Sequence, residues 1–260
     1  MKGVSKLTLA AAILLASLLS NVSSAQADTT AELKGKSVVL VHGAFADGSS
    51  WNKVIPLLEA KGLNVIAVQN PLSSLENDVA ATRNAIDQQA GPVILVGHSW
   101  AGSVITQAGV DDKVKGLVYV AAFAPDRGQS LQDLLQGQPA PAWAASLKKD
   151  AGGNLRLSTD AILHQFAQDV PEPEARLIAA TQGPWAEQCA AQPVSEAAWR
   201  GKPSWDIIAT QDRMIAPDLQ ERMAKTIGAH TVRVPASHVV MLSHPQQVAD
   251  TIITAAKAAH

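Results

Sequence analysis

The 260-residue chain contains a single cysteine, Cys189. One thiol cannot close an internal disulfide, so stability has to come from the packed core. Cys189 lies in an Ala/Gln-rich stretch with no motif around it, which favours packing over chemistry. Charge of one sign is also missing: 21 Lys and Arg stand against 23 Asp and Glu, a formal net charge of −2. Without a basic stripe, a nucleic-acid partner has no electrostatic support. There is neither an H-E-x-x-H nor a Cys/His cluster, so the sequence points to no metal and no organic cofactor. Internal repeats are absent too. Hydrophobic residues at 47% and charged residues at 17% belong to a globular protein with a sizeable core.

One long apolar run does occur, at the start. Lys2 and Lys6 precede Leu7–Ser20, and a polar stretch then leads to Ala25-Gln26-Ala27 before Asp28. That order of parts reads as a secretory signal peptide over 1–27. The run is shorter than the ~20 apolar residues of a spanning helix, so the mature form is expected to have no membrane segment. The expected location is periplasmic or extracellular. Without Lys2 and Lys6 the net charge becomes −4.

From residue 37 the chain alternates short apolar runs with helix-periodic segments. Ser37–His42, Asn64–Val68, Val93–Val96, Lys115–Ala122, Ser204–Thr210 and Thr231–Val234 read as strands. Helical spacing falls between them, at 50–61, 75–89, 100–110 and 217–228, and again from His244 onward. This β-then-α order predicts an α/β fold: a six-stranded, mostly parallel sheet with helices on both faces. Residues 125–203 break the rhythm, with helical pieces at 160–169 and 172–180 and no clear strand. An insertion of that length is usually functional, and it reads as a helical cap. The expected organisation is a core of 28–124 and 204–260 with the cap at 125–203.

The strongest chemical signal is Gly97-His98-Ser99-Trp100-Ala101-Gly102. A serine between strand and helix needs a tight turn with small flanking residues to expose its hydroxyl above the sheet. Ala101 stands where a second glycine is usual. A hydroxyl is a poor nucleophile until a base takes its proton. Of seven histidines, His238 follows the last predicted strand and so reaches the same sheet edge as Ser99. His98 points away in a tight elbow, His244 opens the final helix, and His42, His164, His230 and His260 lack a suitable setting. Asp212 follows the strand ending at Thr210, and serine, acid, histidine is the order this fold uses. Asp126, in Ala-Pro-Asp-Arg, is the rival acid. The backbone N–H groups of Ala44 and Trp100 are the candidate donors to an oxyanion.

The segments VLVHGAFADGSSW, VGHSWAG, ATQDRMIAP and SHVVMLSHP resemble an α/β-hydrolase family of small bacterial esterase-like proteins. They are also similar to the plant methylesterase and hydroxynitrile-lyase group. The resemblance spans about 37–124 and 203–258. It implies a six-stranded core, a triad of Ser99, Asp212 and His238, and oxyanion donors at Ala44 and Trp100. The expected substrate is a small-molecule carboxylic ester, cleaved through an acyl-enzyme. Two alternatives stay open. One is hydroxynitrile-lyase-like C–C cleavage, for which the insertion offers only Lys148, Lys149 and Lys202. The other is a non-catalytic small-ligand receptor. Trp143, Trp185 and Trp205 are candidate pocket walls, set against plain packing.

Overall fold

The computed structural model describes residues 33–259; the expected signal peptide lies outside the described residues. Six parallel strands form the main sheet: β1 (Ser37–Val41), β2 (Asn64–Val68), β3 (Val93–His98), β4 (Val114–Val120), β8 (Ser204–Ala209) and β9 (His230–Val234). Their order across the sheet is β2-β1-β3-β4-β8-β9, and every pairing is parallel. The α/β-hydrolase architecture expected from the sequence is thus present.

Burial explains the strand patterns. β1, β3 and β8 are buried at every position, which is why they read as largely apolar runs, Asp206 in β8 being the charged exception. β2 and β9 are the edges and are more exposed along most of their length. The helix Leu75–Asp87 starts on Ser74, whose hydroxyl accepts the Asn77 N–H at 3.1 Å. Glu76 and Asp78 follow in its first turn, where the positive end of the helix dipole favours them. Helix Pro217–Thr226 opens on a proline at its first position, where no N–H is needed.

Strand order also sets where a site can form. From β1 the chain moves outward to β2, then crosses back to place β3 on the other side of β1. Between β1 and β3 the winding changes direction, and the loops leaving their C-terminal ends splay apart. Gly43–Phe45 and Ser99 occupy those two loops.

The insertion is more mixed than its sequence suggests. Helical segments predominate, including Leu131–Leu135 and Glu172–Thr181. Segment 159–166 starts as a turn of α-helix and continues as a π-helix at Ile162–Phe166. A three-stranded antiparallel sheet adds β5 (Lys148–Lys149), β6 (Asn154–Arg156) and β7 (Trp185–Ala186). Two- and three-residue strands carry too little alternation to stand out in sequence. No helix among the described residues is long and apolar enough to cross a membrane.

Candidate active site

Ser99 sits at φ +54°, in the left-handed region that costs a non-glycine residue of order 1–3 kcal/mol. Its backbone is held from both sides. The Ser99 N–H donates to the Val120 carbonyl at 3.2 Å, and its carbonyl accepts from Gly102 N–H at 3.0 Å and Phe123 N–H at 3.2 Å. A Cβ at Gly97 would lie 2.7 Å from the Ala101 carbonyl oxygen, and one at Gly102 only 1.9 Å from that of Phe123. Position 101 carries its methyl group fully buried without such a conflict. The elbow therefore requires glycine at 97 and 102 and tolerates alanine at 101. Gly43 completes the close approach, since a Cβ there would sit 2.7 Å from that of Ser99.

The structure brings His238 and Asp212 together. The His238 Nδ1–H donates to Asp212 Oδ2 at 2.8 Å, and both side chains are buried. With Nδ1 as donor, Nε2 of the neutral ring is the acceptor. Asp212 is held by other donors as well: Met214 N–H and Ile215 N–H reach Oδ1 at 2.7 and 3.1 Å, and Gln220 Nε2 reaches Oδ2 at 2.8 Å. His98 lies against the base, with ring centroids 4.7 Å apart, and its Nε2–H donates to the His238 carbonyl at 3.0 Å. Burial pushes the His98 pKa well below the usual histidine value, so the ring stays neutral. The rival acid is elsewhere. Asp126 pairs with the Arg200 guanidinium on the surface, which holds its carboxyl below the usual range.

Loop Gly43–Phe45 is oriented by His42, a buried residue. His42 Nε2 accepts the Asn70 N–H at 2.9 Å, which leaves Nδ1–H to donate to the Gly43 carbonyl at 2.9 Å. Across a trans peptide C=O and N–H point in opposite directions, so this bond turns the Ala44 N–H away from His42. Phe45 follows at φ +59°. Among the described residues, the amides of Ala44 and Trp100 donate to no backbone or side-chain acceptor.

Ala44, Trp100, Ser99 and His238 line one cavity of about 210 Å³. Its other walls are mostly apolar, and the insertion supplies Trp143, Leu155, Phe166 and Trp185. The Trp185 ring packs 5.5 Å from that of Trp100 and 5.7 Å from that of Phe45. The Trp143 indole N–H donates to the Met214 carbonyl at 3.1 Å, tying the insertion to the Asp212 loop. Trp205 does not join them: it is buried in β8 with its ring 5.5 Å from His230. It is a packing residue, because it stands at the start of β8, the end of the strand opposite the Asp212 loop. Glu187 also lines the cavity and pairs with Lys149. No lysine among the described residues lines it; Lys202 is engaged with the Asp111 and Val114 carbonyls. Burial pushes the Cys189 thiol up to about 12, which leaves it protonated and inert.

Several residues around the site are not evident from sequence. Gln220 lies eight positions beyond Asp212 on a different element, Asn70 follows β2, and Asp78 reaches Trp100 from a helix. Each acts through a tertiary contact that no local pattern records.

A serine on a strained strand-to-helix turn, facing a cavity shared with a carboxylate-bound imidazole, defines a hydrolase-type α/β site. The chain belongs to the alpha/beta hydrolase family, whose model matches residues 38–251. It is similar to methylesterase 2 of Arabidopsis thaliana, with 27% identity over 256 residues covering 86% of this chain and 97% of the relative. A pyrethroid hydrolase of Sphingobium wenxiniae is 28% identical over 243 residues, covering 83% and 85% respectively. Among solved structures, a pyrethroid hydrolase from Sphingobium faniae superposes with a TM-score of 0.73 at 23% identity, covering 86% of this chain and 98% of that one.

Proposed function

We propose that this protein is a serine esterase that cleaves a small carboxylic ester through an acyl-enzyme. The observation that carries the reading is the convergence of Ser99, the Asp212-bound His238 and the free amides of Ala44 and Trp100 on one cavity. In the proposed reaction the Ser99 oxygen attacks the ester carbonyl carbon while His238 Nε2 takes the hydroxyl proton. The carbonyl oxygen becomes an oxyanion held by the Ala44 and Trp100 N–H groups, a donor type worth about 10²–10³ in rate each. Asp212 stabilises the imidazolium and keeps the ring in its Nδ1–H tautomer. Collapse of the intermediate expels the alcohol, which takes the proton from His238. Water then attacks the acyl-serine, giving its proton to His238, and serine leaves with that proton as the acid is released.

The apolar walls favour an uncharged, hydrophobic ester, because a charged group would be stripped of water there without a partner. Methylesterase 2 and the pyrethroid hydrolases, by their names, are consistent with an ester-cleaving site on this scaffold. Cyanohydrin cleavage is less favoured, since no lysine among the described residues lines the cavity. The test is labelling with a fluorophosphonate, followed by identification of the modified residue. Modification at Ser99 with loss of ester hydrolysis is expected; an unlabelled protein that still binds esters would make this a receptor. We further propose export of the mature chain beginning at Asp28, on the order of parts in residues 1–27. N-terminal sequencing of secreted or periplasmic material checks it, and a start at Met1 overturns it.

A further inference from the structure

We infer that Gln220 is a positioning residue for the acid of this site, clamping Asp212 through an amide whose two ends are both needed. The inference rests on the proposed roles of Ser99, His238 and Asp212. Gln220 is fully buried in the first turns of helix Pro217–Thr226. Its Nε2 donates to Asp212 Oδ2 at 2.8 Å and to the Ile215 carbonyl at 2.9 Å. Its Oε1 accepts the Ala209 N–H, the last of β8, at 3.0 Å. The partners fix which end is which: reversing the amide would set oxygen against a carboxylate and a carbonyl, and NH₂ against an N–H.

The side chain thus ties the end of β8, the acid-bearing loop and the helix after it to one another. Asp212 Oδ2 is shared between Gln220 and His238. What Gln220 does to that oxygen is felt directly by the base. A carboxylate that loses an N–H donor keeps more negative charge on the oxygen facing the base, and such charge favours an imidazolium over a neutral ring. Glutamate keeps the shape and the acceptor for Ala209, and the proton it must share with Asp212 leaves an O–H donor there. Methionine keeps most of the volume and offers neither. The other titratable groups facing the pair are His98, against the ring, and Asp169, whose Oδ2 accepts the Ser237 N–H at 2.7 Å. Arg213 is exposed and donates to the His164 carbonyl, while Glu221 pairs with Arg233. None of these replaces the Gln220 donor at Asp212.

The experiment measures the rate of inactivation by a fluorophosphonate against pH, for the full chain and for Gln220→Met and Gln220→Glu, each checked for folding by thermal melting. In Gln220→Met the acid limb should move to higher pH, since the less neutralised carboxylate beside the ring favours the imidazolium. In Gln220→Glu the two carboxyls must share a proton, because buried like charges in contact cannot both ionise; the protonated side chain restores a donor to Asp212 and should bring the limb back toward wild type. If Gln220→Met does not fold, Gln220→Leu, likewise without a donor, takes its place. A folded donor-less variant that reacts more slowly on an unmoved limb would show that Gln220 only packs, and overturns the inference. Failure to label Ser99 in the wild-type protein would instead overturn the triad reading, and the inference with it.

Discussion

The indole N–H of Trp100 donates to the carboxylate of Asp78 at 2.8 Å, joining the residue after the proposed nucleophile to the first turn of a helix 22 positions earlier. The other Asp78 oxygen accepts the Leu72 N–H at 2.7 Å, and the side chain is wholly buried. Burial pushes its pKa up to about 6, against the pull of the two donors. A carboxyl whose folded-state value is raised supports folding fully below its ordinary value of about 4, and that support is lost as pH rises through about 6. Replacing Asp78 by Asn removes this titration. The melting temperature of Asp78→Asn relative to wild type should therefore climb between about pH 4 and pH 6 and level off above. A difference constant across pH would mean that Asp78 does not titrate there. Asp206, buried with neither oxygen partnered among the described residues, should behave in the same sense.

Strain at Ser99 separates stability from turnover. Ser99→Ala should lose nearly all ester hydrolysis, up to about six orders of magnitude. Ser99→Gly should be equally inactive, yet more stable than Ser99→Ala by about 1 kcal/mol, because glycine accepts φ +54° at no steric cost. Thermal melts of the two variants side by side provide the comparison. Equal stability would mean the elbow is not strained.

Asp212 and Asp126 make opposite predictions. Asp212→Asn removes the acceptor that sets the His238 tautomer, and kcat should fall by about 10⁴. Asp126→Asn breaks only an exposed pair with Arg200 and should leave kcat near wild type. The reverse ranking would exclude Asp212 as the acid.

The cavity walls supplied by the insertion should govern substrate choice. Trp143→Ala and Trp185→Ala enlarge a space of about 210 Å³ without touching Ser99 or His238. Relative kcat/KM for bulky acyl groups should rise against that for a small acetate ester. Uniform losses across a panel of esters would show that these rings support the fold instead.

The core strands were legible because parallel strands buried on both faces are nearly continuously apolar, as Val93–Val96 and Val38–Val41 are. The loop positions of Ser99, Asp212 and His238 followed from the same logic: each comes directly after a strand, so one sheet edge collects them. What stayed hidden is equally physical. Ala101 stands where a second glycine is usual, whereas the intolerant contact is made by Gly102 against the Phe123 carbonyl in the loop after β4. Trp205 and Trp185 have the same chemistry, and only their places in the fold, one at the start of β8 and one in the short β7, separate packing from pocket. Gln220, Asn70 and Asp78 are ordinary polar residues on helices and loops, and their partners are set by tertiary approach alone.

The walls of the cavity run from Ala44 to His238. Segments forming the Ser99 elbow are near neighbours in sequence, but its base arrives from about 140 residues further on, and two of its largest walls from the insertion between. Contacts of such separation form late, because the chain between them has to be ordered first. Reactivity at Ser99 should consequently be among the last native properties to return during refolding, after the parallel sheet is in place. An appearance of fluorophosphonate reactivity in step with secondary structure would mean that the two halves of the core dock early.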